Sequence, residues 1–266
     1  MKICSFQRVG AKLGALVALA SVLVTALSLP AHAEHGTSHP SLAGVWVMDH
    51  YGYRSSMEFT ARERVAMDID GHPAPLQPWA QAILETRLKD ADDGKIFANN
   101  AAKCLPQGVP YIVFGAVDGP IQILESPGQI TLLSTEMSEN WFIYVGAKHP
   151  PNLFPNYHGD SVAHWEGNVL VIDTVGLSGD KTPIDQVGTP HTDDLHVVTR
   201  VRKVDPDTLE FRVTYDDKKT FTRPWERKVI YHRAAPGTRI DEYVCEADRN
   251  APDEHGFQTF RSTSSQ

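Results

Sequence analysis

Histidine, carboxylate and tyrosine recur together in the middle of this chain. Tyr157, His158 and Asp160 precede an apolar run, and Asp173 and Thr174 follow one. His191-Thr-Asp-Asp-Leu-His196 is the densest cluster, and Tyr215 and Asp216 close the series. A histidine fixed by a carboxylate, with a tyrosine hydroxyl as donor, can do general acid/base chemistry because imidazole titrates near neutral pH. On this reading His158 or His191 transfers a proton, Asp173 or Asp194 orients it, and Tyr157 or Tyr215 polarises an oxygen. His149, His196, Tyr215, Trp141, Tyr144 and Phe154 supply ligand-binding surface. Each residue also has a structural alternative. A carboxylate-pinned histidine orders a loop, Asp173 bonds to neighbouring backbone and holds the loop after Gly176, and Tyr215 fills a core edge.

The spacing excludes other chemistries. His191 and His196 are five apart, so in an extended strand they face opposite sides and do not share a metal without a bend. Helical i, i+4 zinc spacing is missing, and no metal site or cofactor is assigned; a His/carboxylate site built by one of these histidines with His149 or His158 is the alternative. There is no Gly-x-Ser-x-Gly, Walker loop or Gly-x-Gly-x-x-Gly. Basic residues are scattered among acidic ones at a formal net charge of −8, which argues against a nucleic-acid partner.

Two textures must position these side chains. Pro75 to Leu88 places Leu76, Trp79, Ala80, Ile83, Leu84 and Leu88 on one helical stripe, with Pro78 in the first turn and Gly94 as a stop. The rest reads as strands: Val45–Asp49, Tyr111–Ala116, Ile121–Glu125, Ile130–Glu136, Trp141–Gly146, Ser161–Trp165, Val169–Val175, Leu195–Val204, Leu209–Asp216 and Phe221–His232. Turn residues such as Glu166-Gly-Asn and Asp205-Pro-Asp-Thr separate them. Consecutive antiparallel strands favour an up-and-down barrel, because closure removes exposed edges; a sandwich is the alternative. Strict alternation of direction puts the turns at 117–120, 137–140, 166–168 and 205–208 at one closed end. It sends 147–160, 176–194 and the insertion 50–110 to an open mouth, which would hold the ligand.

Leu42-Ala-Gly44-Val-Trp46 resembles the Gly-x-Trp signature of lipocalins. The resemblance implies a Trp across the closed end, covered by an Arg near the last strand, here Arg233, and a lid after the first strand. The Thr-Asp-Tyr motif of that family is absent. Trp165 to Thr174, His191 to His196 and the Glu-Tyr-x-Cys tail also resemble a group of secreted bacterial proteins without a settled activity.

The ends add a cellular address. Lys2, Arg8 and Lys12, an apolar run Leu13–Leu29 and Ala31-His-Ala33 read as a signal peptide over 1–33; an uncleaved anchor is the alternative. No later stretch is long and apolar enough to span a bilayer as a helix. With Cys4 removed, Cys104 and Cys245 remain to pair in an oxidising compartment, or else to stay as separate buried thiols. The sequence thus predicts a mainly β, antiparallel up-and-down lipocalin-like barrel over 34–250, with a helical lid at 50–110 and a flexible tail at 251–266. The expected protein is secreted, periplasmic, and an isomerase- or lyase-type enzyme without a cofactor, acting on a small hydrophobic or aromatic molecule. A carrier of the same ligands and an envelope interaction protein are the alternatives.

Overall fold

The computed structural model describes residues 39–49, 60–95, 97, 99–109, 111–115 and 119–245. The expected signal peptide, the first part of the lid (50–59) and the tail 251–266 lie outside them. Nine strands form one closed barrel: β1 Gly44–Met48, β2 Ile121–Ser126, β3 Gln129–Ser134, β4 Asn140–Val145, β5 Asp160–Glu166, β6 Val169–Val175, β7 His196–Asp205, β8 Thr208–Asp216 and β9 Trp225–Arg233. The ring closes where β9 pairs with β1, Trp46 opposite Arg233 and Met48 opposite Tyr231. Alternation drives this closure. Along β8, Leu209, Phe211, Val213 and Tyr215 are buried in the core, while Arg212 pairs with Glu210 and Glu226.

Among the described residues, all pairings between these strands are antiparallel except one. β4 and β5 run parallel and meet only at Tyr144 opposite Val162 and Val145 opposite Ala163. The chain between them, 146–159, therefore travels back from one end of the barrel to the other. The expected strand Tyr111–Ala116 is not one either: Tyr111–Val113 form a single 3-10 turn. The two differences cancel in the count of directions. Turn 126–129 joins 166–169 and 205–208 at the closed end, whereas 135–139 moves to the opposite end. The described part of the insertion after β1, tied through Leu76 and Trp79 to the loop 217–224, and the loop 176–195 still share that opposite end.

Val109 and the stretch 111–114 fill this mouth. Val109, Ile112, Val113 and Phe114 belong to the core, the Tyr231 hydroxyl donates to the Val113 carbonyl at 2.9 Å, and Arg227 lies 3.8 Å over the Phe114 ring. The run is apolar because it plugs a barrel, which leaves the same sequence trace as a buried strand. A short helix, α1 Pro78–Asp92, lies in the insertion, with Pro78 at its first position and Gly94 just past its end at φ +80°. Only Ala80 and Leu84 of its stripe are buried; Trp79 is exposed and donates to the Lys219 carbonyl at 2.7 Å.

The closed end has the expected lock. Arg233 sits 4.3 Å over the fully buried Trp46 ring, and the indole donates to the Leu42 carbonyl at 3.0 Å. Gly44 explains the glycine of the motif: at φ +146°, a Cβ there would lie 2.7 Å from the Arg233 guanidinium. Only a residue without a Cβ fits that combination of dihedral and contact. Cys104 and Cys245 form a disulfide, Cα atoms 5.5 Å apart, which fastens the chain after β9 to the insertion.

Candidate functional site

The single parallel seam makes the site. Toward the mouth end β4 and β5 have no ladder between them, and a cleft of about 400 Å³ opens there. Glu139, Trp141, Phe142, Tyr144, His158 and Asp160 line it. Its floor is braced from within: the Trp141 indole donates to Ser161 Oγ at 2.8 Å, which lies 2.8 Å from Thr174 Oγ1. Phe142 and Tyr144 project outward from β4 and are about half exposed beside the cleft.

On one wall His158 Nε2 lies 3.1 Å from Glu139 Oε1. The Glu139 side chain is only 4% exposed and the imidazole 30% exposed. The same carboxylate oxygen accepts the Gly108 amide at 2.8 Å. At Gly108, where φ is +77°, a Cβ would meet the Tyr157 carbonyl at 2.0 Å. Glycine therefore has no substitute there. Next to Glu139, Met137 and Ser138 both hold positive φ, +57° and +50°. That conformation is costly for residues with side chains. The Ser138 hydroxyl donates to the Tyr243 carbonyl at 3.2 Å, so the chain leading to the disulfide supports this lip.

From Asp160, at the start of β5, a chain of ionisable groups runs on from the cleft. Asp160 Oδ1 is 2.6 Å from His149 Nδ1, His149 Nε2 is 3.1 Å from Asp173 Oδ1, and Asp173 Oδ2 is 3.0 Å from His196 Nε2. These residues sit outside the barrel. Ser161 on β5, Ile172 and Thr174 on β6 and Val197 on β7 are buried, so alternation points Asp160, Asp173 and His196 outward. His149 arrives from the 146–159 crossing and bridges two carboxylates.

The other expected residues are elsewhere. His191 is buried: Nδ1 lies 2.7 Å from the Thr192 carbonyl, while Nε2 faces the Thr182 hydroxyl at 2.9 Å and the Thr182 carbonyl. Burial lowers its pKa below 6.5 against the opposing pull of those carbonyls. It stitches two loops and does not reach the cleft. Asp194 pairs with Lys219 at 2.6 Å on the surface. Tyr215 is fully buried and stacks on Trp225 at 4.5 Å; burial pushes its hydroxyl up to about 12, offset in part by Arg227. Tyr157 gives its carbonyl to Val109 N, and Phe154 is 85% exposed; neither lines the cleft. Of the expected set the cleft gathers Trp141, Tyr144 and His158, while the adjoining chain gathers His149, Asp173 and His196. Sequence reasoning missed Glu139. It stands in a turn, where an acidic residue reads as solvated, and only the return of Gly108 and His158 buries it.

A second cluster lies away from the cleft. Asp68, Asp70 and His72 bring one potential ligand atom each within 4.8 Å of one another. Asp68 Oδ1 already accepts from the backbone amides of Asp70 and His72, so the group forms a self-bonded turn.

Together these features describe a closed, mostly antiparallel nine-stranded barrel with a lateral cleft at its one parallel seam. The architecture is compatible with a lipocalin-like barrel. No family model, curated protein or solved structure matches the chain.

Proposed function

We propose that the protein is a secreted, lipocalin-like enzyme that performs cofactor-independent acid/base chemistry on a small aromatic or hydrophobic molecule held in the β4–β5 cleft. One observation carries this reading: an accessible imidazole, His158, backed by a buried carboxylate, Glu139, in the wall of an aromatic-lined cleft. A proton on Nε2 points at Glu139, which leaves Nδ1 as the free base. Such a base removes a proton from a carbon beside a carbonyl; the electron pair moves onto the carbonyl oxygen. Return of that proton at another carbon completes an isomerisation. Asp160, held by His149 and two residues beyond His158 at the start of β5, places a carboxyl group beside the imidazole in the cleft lining. The aromatic edge supplied by Phe142 and Tyr144 suits a planar ligand.

The expected export rests on the basic and apolar leader together with the Cys104–Cys245 disulfide, since such bonds persist in oxidising compartments. The exposed aromatics favour a second reading, a carrier of the same ligand class. His158→Gln separates the two. An enzyme loses turnover and keeps ligand binding, measured by a proton-exchange assay beside calorimetric titration. Unchanged turnover in both His158→Gln and Glu139→Gln overturns the acid/base assignment.

A further inference from the structure

The open stretch of the seam is a strand edge without a partner. Ser134 N–H donates to the Glu139 carbonyl and Val145 N–H to the Gly128 carbonyl, both at 2.9 Å, so Glu139, Trp141, Ile143 and Val145 turn their main-chain groups toward β3. Asn140, Phe142 and Tyr144 turn theirs the other way, into the seam. Tyr144 meets β5 opposite Val162, and there the ladder stops. The amides and carbonyls of Asn140 and Phe142 make no hydrogen bond among the described residues. Ser161 faces the same gap from β5, in phase with Ala163, whose carbonyl accepts the Gly146 N–H at 2.7 Å. Asn140, Phe142 and Ser161 all line the cleft of about 400 Å³.

The gap is held open. In a continued parallel ladder Gly159 and Tyr157 would serve Phe142 and Asn140. Instead the Tyr157 carbonyl accepts from Val109 N–H at 3.2 Å, and Gly159 N–H donates to Asn156 Oδ1 at 2.9 Å. Strand edges in folded proteins are commonly blunted with charge or proline. The edge strand β4, Asn-Trp-Phe-Ile-Tyr-Val, has neither. Its neighbours share this character: Leu124, Thr131 and Phe142 form one outward row, and Ser126, Gln129 and Tyr144 the next. No outward position of β2, β3 or β4 is charged, whereas β7 and β8 present Arg200, Arg202, Glu210 and Arg212 outward. Depletion of charge around exposed aromatic residues is the composition of a protein-contact core.

We infer that the β4 side of the seam is a docking site for an extended, uncharged polypeptide segment, which adds a strand to the free edge at Asn140 and Phe142. Main-chain donors and acceptors in strand phase select a peptide. Charge complementarity selects an uncharged one, because a charge laid against Phe142 and Tyr144 would lose water without gaining a partner. A second copy of the barrel does not fit, since the edge lies inside a cleft between two strands. The inference goes beyond the acid/base reading, shares its cleft and does not require turnover.

The test adds capped hexapeptides, Thr alternating with Val, Leu or Phe, to the purified protein. Anisotropy of a dye-labelled member should show saturable binding, and amide hydrogen exchange should slow at Asn140, Phe142 and Ser161. N-methylation of alternate peptide amides separates main-chain pairing from side-chain adhesion. One phase of methylation should weaken binding about tenfold, and the other should leave it unchanged. Asn140→Pro removes a free edge amide without costing a bond to β3. It follows Glu139 at φ −78° and ψ 149°, which suits a residue before proline. Binding should fall about tenfold in this variant. If it does not fold, Phe142→Lys carries the test with the same expected loss. Equal affinity for the parent and both methylated phases overturns strand addition. Absence of binding by every peptide, with no slowed exchange, overturns the site. Slowed exchange that follows protein concentration alone, with the mass of a dimer, assigns the edge to a second copy and overturns the peptide.

Discussion

The closed end of the barrel and the β4–β5 seam use the same kind of strand and reach opposite results. At the closed end the Arg233 guanidinium and the Trp46 indole are both consumed by the fold. Arg233 covers Trp46 and donates to Asp207 Oδ1 at 2.9 Å and to the Pro206 carbonyl at 3.0 Å, and the connections there are tight turns. At the seam two strands meet over two residue pairs and then part. The gap leaves Phe142, Tyr144 and the His158 imidazole facing solvent, with the Glu139 carboxylate buried behind the imidazole. Continuous pairing yields rigidity, and its interruption yields a place for a ligand.

The comparison can be broken most forcefully through the disulfide, which ties the C-terminal chain to the insertion beside the cleft lip. Replacing Cys104 and Cys245 together by Ser is expected to cost up to about 5 kcal/mol, since the bond closes a loop of 141 residues. Calorimetry should show Tm falling by about 10 °C or more. Loss of ligand affinity should appear in a titration well below the new Tm. A variant with native Tm would show that the lip is held by other contacts.

His158→Gln tests the seam alone. Turnover is expected to fall about 10²–10⁴-fold with Tm unchanged. Gly44→Ala tests the closed end alone, because its added Cβ strains the backbone and displaces Arg233. It should cost about 1–3 kcal/mol in denaturant titration. Turnover per folded molecule should not move. If Gly44→Ala altered turnover, the two ends would be coupled and the contrast between them would fail.

The smallest expected effect concerns pH. His191 titrates at 6.5 when unfolded and lower when folded, because burial disfavours its charge. Below pH 6.5 the unfolded chain therefore binds more protons, and stability contributed by the neutral ring is lost as pH falls from 6.5 toward the folded value. The loss should be absent in His191→Asn, measured as the difference in unfolding free energy between about pH 7.5 and about pH 5.5. Asp217 acts in a lower range. Burial opposes its ionisation, but donors on Thr220 and Thr192 outweigh that and keep its pKa depressed, so its share is lost only under more acidic conditions.

Particular residues show what could be read in advance. Leu209 to Asp216 alternates so regularly that strand, face and burial all follow. Gly44-Val-Trp46 and Arg233 were legible because a short motif demanded one local geometry. Tyr111-Ile-Val-Phe114 reads as a strand and is not one, since an apolar plug and a buried strand share one composition. The direction of β4 relative to β5 was invisible, because a long connection allows either a turn back or a crossing. With it went the site: His158, Tyr144 and Trp141 were legible as chemistry, but their meeting with Glu139 in a lateral cleft was not.

Periodicity belongs to the amino-acid sequence: which residues alternate, where glycine and proline turn the chain, and which side chains can ionise. These are local properties, set by backbone sterics and by the partition of each side chain between water and core. Which ionisable groups face one another came from the folded barrel, because proximity across it depends on strand direction and register. One parallel pairing turned Glu139 inward against His158 and opened the wall beside them. The same closure buried His191 beyond use.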